Sequence, residues 1–251
     1  MSGTNRYCLN VTFELRNATM KLNKETIASR SVHGKWYDDA CAAAFGLELV
    51  GERWTLLVVR ELMLGGRRFS DIRASLPALS AKTLTERLET LQELGIVERV
   101  LLPRPASGQV YQLTEWGRGL EPVLQELGRW AIRSRLYDAS LPLTPVSLML
   151  SLRTMLDRRR IGDLELWVAF DVGDQHFAGR LRQGELTIHP AGDGMMTPDL
   201  RFTAPAASDF LPLFYGGNTP EEAGGDLAVS GDPALAQRFV ELFVLPPKCG
   251  S

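Results

Sequence analysis

The period of the hydrophobic pattern changes once along this 251-residue chain, and that change constrains the fold more than any other feature. From Lys35 to about Tyr137 apolar side chains recur every three or four residues, the spacing of helices with one buried side, interrupted by two short segments that alternate. After Leu141-Pro-Leu-Thr-Pro and a further helix over 146–157, short alternating runs take over, separated by glycine-containing turns. Helices with one ribbon, then strands mixed with helices, imply two modules and an α+β chain. The charge divides at the same place. Up to Leu141 there are 19 Lys and Arg against 16 Asp and Glu, a balance of +3; beyond it there are 9 against 14, a balance of −5. The whole-chain charge of −2 hides a mildly basic half and an acidic one, which fits modules with different partners.

No uninterrupted apolar run approaches the ~18–20 residues of a membrane-spanning helix, and the first residues lack the basic-then-apolar order of a secretory leader. Three cysteines, Cys8, Cys41 and Cys249, are odd in number and far apart, so they outline no disulfide framework. The expectation is a protein of the reducing cytoplasm, with no membrane partner. Residues 1–34 are polar and lack helical period; they read as a flexible arm, with Met20 an alternative start to Met1.

Helices are predicted over 37–49, 54–64 and 68–76. In the second, Leu57, Val58, Glu61 and Leu62 share one stripe, and Gly65-Gly66 stop it. Ser80 caps the next helix, in which Ala81, Leu84, Leu88 and Leu91 line one side and Gly95 ends the run. Strands over 96–102 and 109–113 flank a turn-rich tip, and Thr114 caps a last helix with Leu120, Val123, Leu124, Leu127 and Trp130 on one stripe. Three helices, a two-stranded ribbon and another helix make the order of a winged helix-turn-helix. A helix is narrow enough for the DNA major groove, where its N-terminal side chains meet base edges. On the helix opened by Ser80, the residues Lys82, Thr83 and Thr85 lie outside early, and Arg87 lies at the border of the apolar stripe. Arg67, Arg68 and Arg73 precede it and Arg104 sits on the ribbon tip, sensible places for phosphate contacts, which release counterions. Glu86, Glu89 and Glu93 share the exposed side, so charge alone would equally suit a solvated surface helix.

The stretches Gly51-Glu-Arg-Trp-Thr-Leu-Leu-Val-Val-Arg-Glu-Leu, Gly66-Arg-Arg-Phe-Ser-Asp-Ile and Leu79-Ser-Ala-Lys-Thr-Leu-Thr-Glu-Arg-Leu resemble the HxlR-type transcriptional regulators. So do Leu91-Gln-Glu-Leu-Gly-Ile-Val-Glu-Arg and Tyr111-Gln-Leu-Thr-Glu-Trp-Gly-Arg, in order and over about 37–130. The resemblance implies a winged-helix dimer on a two-fold operator, with Ser80, Lys82, Thr83, Thr85 and Arg87 on the recognition helix. Gly51-Glu-Arg departs from the more usual Gly-Gly-Lys before the tryptophan, and Ala81 replaces a commoner polar residue, which bears on base preference rather than fold. The stripe of Leu120, Leu124, Leu127 and Trp130 is then a dimer seam, because so short a module cannot bury it alone; core packing is the plainer alternative. Cys41 stands thirteen residues before Trp54, where some members of the family carry a redox-responsive cysteine. A small buried hydrophobe is the favoured reading, since Ala42, Ala43 and Ala44 supply no charge to activate the thiol.

The second half carries no nucleophile elbow, phosphate loop or metal-ligand spacing; His176 and His189 are isolated, and Asp171, Asp174, Asp193 and Asp199 mostly fall at predicted turns. Strands are predicted over 165–172, 175–182, 185–189, 200–203 and 226–230, with helices over 206–215 and 233–243. Leu166-Trp-Val-Ala-Phe-Asp-Val, Arg182-Gln-Gly-Glu-Leu-Thr-Ile and Pro198-Asp-Leu-Arg-Phe-Thr-Ala resemble the sterol-carrier-protein-like domain, as does Gly225-Asp-Leu-Ala-Val-Ser-Gly-Asp before the closing helix. That resemblance implies a layered α+β fold with an apolar tunnel. Trp167, Phe170, Phe177, Phe202, Phe210, Phe214 and Phe239 are the candidate lining of a slot for an apolar ligand. Periodicity alone does not separate a filled core from a cavity.

The whole reads as an arm (1–34), an HxlR-type winged helix that binds DNA and dimerises (35–140), and a sterol-carrier-protein-like unit (145–245). The expected function is a dimeric, operator-binding transcriptional regulator whose second unit takes an apolar small molecule, with no metal or cofactor and no enzymatic activity. The alternative is a lipid-binding or carrier protein whose winged helix serves only dimerisation.

Overall fold

A computed structural model of the chain describes residues 37, 39–102, 108–192, 197–219, 222 and 226–250. The N-terminal arm, the choice between Met1 and Met20, Asp193 and Arg104 on the ribbon tip lie outside the described residues.

Four helices come first: α1 Ala42–Val50, α2 Thr55–Leu62, α3 Phe69–Ser75 and α4 Ala81–Glu93. The first begins five residues later than its periodicity predicts. The Asp39 carboxylate accepts the Cys41 N–H at 2.9 Å and Cys41 keeps an extended backbone, so the helical turn starts only at Ala42. Gly51 ends α1 because a Cβ there would strike the Leu47 carbonyl oxygen. The ribbon pairs β1 Val97–Leu102 antiparallel with β2 Gly108–Leu113, Val97 opposite Leu113 and Leu102 opposite Gly108. Arg67 adds a one-residue rung to it through two backbone bonds with Tyr111, of 2.9 and 2.8 Å. The expected last helix is two: α5 Glu115–Arg118 and α6 Glu121–Ala131. Thr114 caps the first, accepting the Gly117 N–H at 3.0 Å, and Pro122 restarts the second, its missing N–H harmless in a first turn.

The segment at 141–145 is a docked junction. Thr144 caps α7 Pro145–Met155, accepting the Ser147 N–H at 3.0 Å, and donates its own proton to Glu61 of α2 at 2.9 Å. Most of α7 is buried, and the core runs without a break from α2 and α4 through α7 into the second half.

The second half is one five-stranded sheet of β3 Leu166–Val172, β4 Gln175–Arg182, β5 Glu185–Pro190, β6 Leu200–Ala204 and β7 Ala228–Gly231. Its order is β5-β4-β3-β6-β7, with β3 and β6 parallel and the other pairs antiparallel. Helices α8 Leu211–Tyr215 and α9 Pro233–Val240 complete the set, each entered through a proline in its first turn. Alternation turns Leu166, Val168, Phe170 and Val172 inward and Trp167 and Asp171 to the other face. After α9 the chain returns to the first half: the Cys249 N–H donates to the Arg133 carbonyl at 2.8 Å, and Lys248 Nζ to that of Ile132 at 2.9 Å.

Candidate nucleic-acid interface

The start of α4 is built from the sequence outward. Leu79 is buried just before it, and Leu84, Leu88 and Leu91 anchor the inner side of the helix. Ser80 takes the cap: its Oγ accepts the Thr83 N–H at 3.1 Å and lies 2.9 Å from the Thr83 hydroxyl. Such a cap satisfies one of the free amides of the first turn. The Lys82 side chain stands 88% exposed. Its 3.9 Å pairing with Glu86 is a surface contact of little energetic weight. Thr85 is exposed and donates its proton to the Ala81 carbonyl at 3.0 Å, leaving its oxygen as an acceptor and its methyl group outward. Thr83 is half-buried, with its hydroxyl shared with Ser80. Glu86, Glu89 and Glu93 continue the exposed side.

Two of the arginines expected to touch phosphate are held inside the chain instead. Glu61 is fully buried on α2, and Arg67, only 15% exposed, places NH1 2.6 Å from its Oε2. Arg60 approaches the other carboxylate oxygen at 2.8 Å, and Thr144 donates to that same oxygen. A carboxylate removed from water requires such partners, so Arg67 answers to Glu61. Arg87, 17% exposed, pairs with Glu52 at 3.5 Å, and its Nε is buried without a hydrogen-bond partner. Arg68 is exposed, its guanidinium beside Gly108 at the tip end of the ribbon. Arg73 on α3 and Arg99 on β1 are exposed as well, Arg99 lying 5.7 Å over the Tyr111 ring. Arg99 went unremarked in the sequence; its place in an alternating strand marked it as exposed but gave no hint of a role.

The stripe on α6 divides. Leu120 and Leu124 are half-buried against the chain's own core, whereas Val123, Leu127 and Trp130 stay exposed, Trp130 at 74%. Leu47 of α1 and Trp116 of α5 are exposed too. Cys41 is an exposed thiol at the N-terminus of α1, not the small buried hydrophobe favoured from sequence. The backbone N–H groups of Ala44 and Ala43 at the start of α1 hold its pKa below the ordinary thiol value. The helix terminus thus supplies the activation that the uncharged alanines lack.

In the second half the expected slot is filled. Phe170, Phe202, Phe210 and Phe239 are fully buried and Phe177 and Phe214 nearly so. Phe170 stacks on Phe202 at 5.7 Å, and Phe214 meets Phe202 at 5.2 Å and Phe243 at 5.3 Å, ring against ring. Trp167 lies on the opposite face of the sheet, under the Arg180 guanidinium at 4.7 Å. That face also carries Asp171, which sits in β3 and not at a turn. Its carboxylate, against the effect of partial burial, is held below the usual range by hydrogen bonds from His176 and Arg201. Among the described residues no cluster of three His, Cys, Asp or Glu could hold a metal ion, and no helix is long and apolar enough to cross a membrane.

Residues 49–136 match the HxlR-like helix-turn-helix family. The HTH-type transcriptional regulator YvaP of Bacillus subtilis is 40% identical over 85 residues, which are 34% of this chain and 79% of its own length. The HTH-type transcriptional regulator YodB of the same organism is 43% identical over 83 residues, 33% of this chain and 74% of its own. Among solved structures, the reduced form of YodB is 37% identical, covers 39% of this chain and 97% of its own, and gives a TM-score of 0.36. These matches span about a third of the chain.

Proposed function

Because the chain belongs to the HxlR-like helix-turn-helix family of transcriptional regulators, we propose that it binds a two-fold operator as a dimer, with the first turns of α4 in the major groove. The observation that carries this reading is the division of α4: three leucines held in the core on one side, and Ser80, Lys82 and Thr85 exposed at the N-terminal end on the other. That is the side and the end from which a recognition helix reaches base edges. Arg68, beside Gly108 at the tip end of the ribbon, is the phosphate contact, and Arg104 between the two strands stays part of the proposal; Arg67 and Arg87 do not. The exposed apolar side chains Val123, Leu127 and Trp130, with Leu47 and Trp116, support a seam between two copies, which would set the paired recognition helices about one DNA turn apart.

Residues 35–140 are read as the DNA-binding and dimerisation unit and 145–245 as a sterol-carrier-protein-like unit, a reading supported by a single sheet with helices against one face. The packing of Phe170, Phe202 and Phe214 leaves an effector no room between those rings. The experiment is a salt titration of binding to the DNA upstream of the chain's own gene. A sequence-selective complex whose log K falls linearly with log salt supports the regulator reading; binding that does not distinguish this DNA from unrelated sequence counts against it.

A further inference from the structure

The groove between α6 and α7 holds a half-open pocket of about 280 Å³ that none of the roles above uses. Its wall is mainly apolar, with Met63, Leu124 and Ile132 on one side and Leu150 and Met155 on the other. Gly128 belongs to that wall, and a Cβ built there would meet no atom within 4 Å. A glycine in mid-helix is unfavourable relative to alanine. Here neither a positive φ nor a close neighbour calls for one. Gly128 is itself exposed, so its missing side chain leaves the mouth of the pocket uncovered.

Three of the polar groups on the wall have a definite sense. Thr144 donates its proton to Glu61, so the Ser147 hydroxyl 2.8 Å away donates to Thr144. Thr154 donates to the Leu150 carbonyl at 2.6 Å. The Glu121 carboxylate, paired with Arg153 at 2.7 Å, only accepts. Arg60 has its Nε and NH2 on Glu61. Ser147, Thr154 and Glu121 thus offer an occupant lone pairs at one edge of the wall, where a donor fits, while Arg60 NH1, Gln125, Ser151 and Tyr137 are its other polar groups.

We propose that this pocket binds a compact, largely apolar molecule of one or two rings bearing one hydroxyl or N–H donor. Its volume falls just below the usual range of small-molecule sites, ~300 to ~1,000 Å³, which suits a small occupant. One side of the occupant touches α6, whose outer face carries Leu127 and Trp130, and the other touches α7, the first helix of the second half. It would thereby bias how the proposed dimer helix sits on the rest of the chain. That consequence rests on the regulatory reading above; the binding does not.

Calorimetric titration of the full chain with indole, a two-ring apolar body with one N–H, tests the site without DNA, so the outcome is independent of whether an operator is bound. The expected result is saturable binding of one indole per chain, at least tenfold weaker in Gly128→Leu, whose side chain covers that mouth, and unchanged in Gly192→Leu, at an exposed glycine that also has open space around it. Thr154→Val, which removes an acceptor and keeps the volume, weakens binding as well and serves should Gly128→Leu fail to fold. No saturable binding to the wild type, equal affinity in the pocket variants, or equal loss in Gly192→Leu overturns the proposal.

Discussion

Arg67 and Arg68 are neighbours in sequence, and the structure gives them opposite work. Replacing Arg67 by alanine removes one of the three partners of a carboxylate that has no contact with water. Breaking a buried ion pair outright costs about 3–5 kcal/mol. Glu61 keeps Arg60 at 2.8 Å and Thr144 at 2.9 Å, which brings the expected loss to about 2–3 kcal/mol, near the worth of one charge-assisted hydrogen bond. The backbone rung to Tyr111 does not depend on the side chain, so the ribbon stays paired. Urea unfolding of Arg67→Ala should show that loss, while the salt dependence of operator binding keeps its slope. Arg68→Ala should cost at most about 1 kcal/mol of stability, as exposed pairs do, and flatten the slope of log K on log salt by about 0.9. An Arg67→Ala variant with wild-type stability and a flattened slope would refute the assignment of this arginine to the core.

Trp130→Asp should halve the mass seen by light scattering, from about twice 27.8 kDa to 27.8 kDa, and weaken operator binding with it; a wild type that is monomeric at every concentration removes the seam. Cys41 should be alkylated by iodoacetamide with a pH midpoint below the ~8.5 of an unperturbed thiol, because a lowered pKa supplies thiolate at lower pH; a midpoint at or above that value contradicts the helix-terminus effect. Phe202→Ala should destabilise the chain by about 3–5 kcal/mol, the cost of a cavity in a filled core, whereas a loss under about 1 kcal/mol would mean that these rings border open space.

Local chemistry carried the boundaries that could be read in advance. Ser80 and Thr114 accept the amides their positions predict, and Gly95 takes a positive φ at the end of α4. The division of the last helix was written in Pro122, a residue that fits a first turn far better than a helix interior. Arg67 was not legible in the same way, since an arginine before a helix looks identical whether it faces phosphate or a buried carboxylate six residues earlier. A signal existed in Glu61, an acid on an otherwise apolar stripe, which requires cations nearby once the stripe is buried. The phenylalanines are the opposite case. Their inward phase follows from alternation, but whether rings on two layers meet or stand apart depends on layer spacing, which no single strand encodes. Cys41 depended on where α1 begins, and that was decided by Asp39 holding the preceding backbone extended.

The most direct measurement is a fluorescence-polarisation titration of the upstream DNA with a variant carrying Lys82→Ala, Thr83→Ala and Thr85→Ala, alongside wild-type protein of matched stability. Ser80 and the buried leucines remain, so the helix keeps its cap and its anchor. With base contacts worth ~1–3 kcal/mol each, affinity should fall by at least about a hundredfold. Undiminished binding by a folded variant would contradict the placement of α4 in the groove.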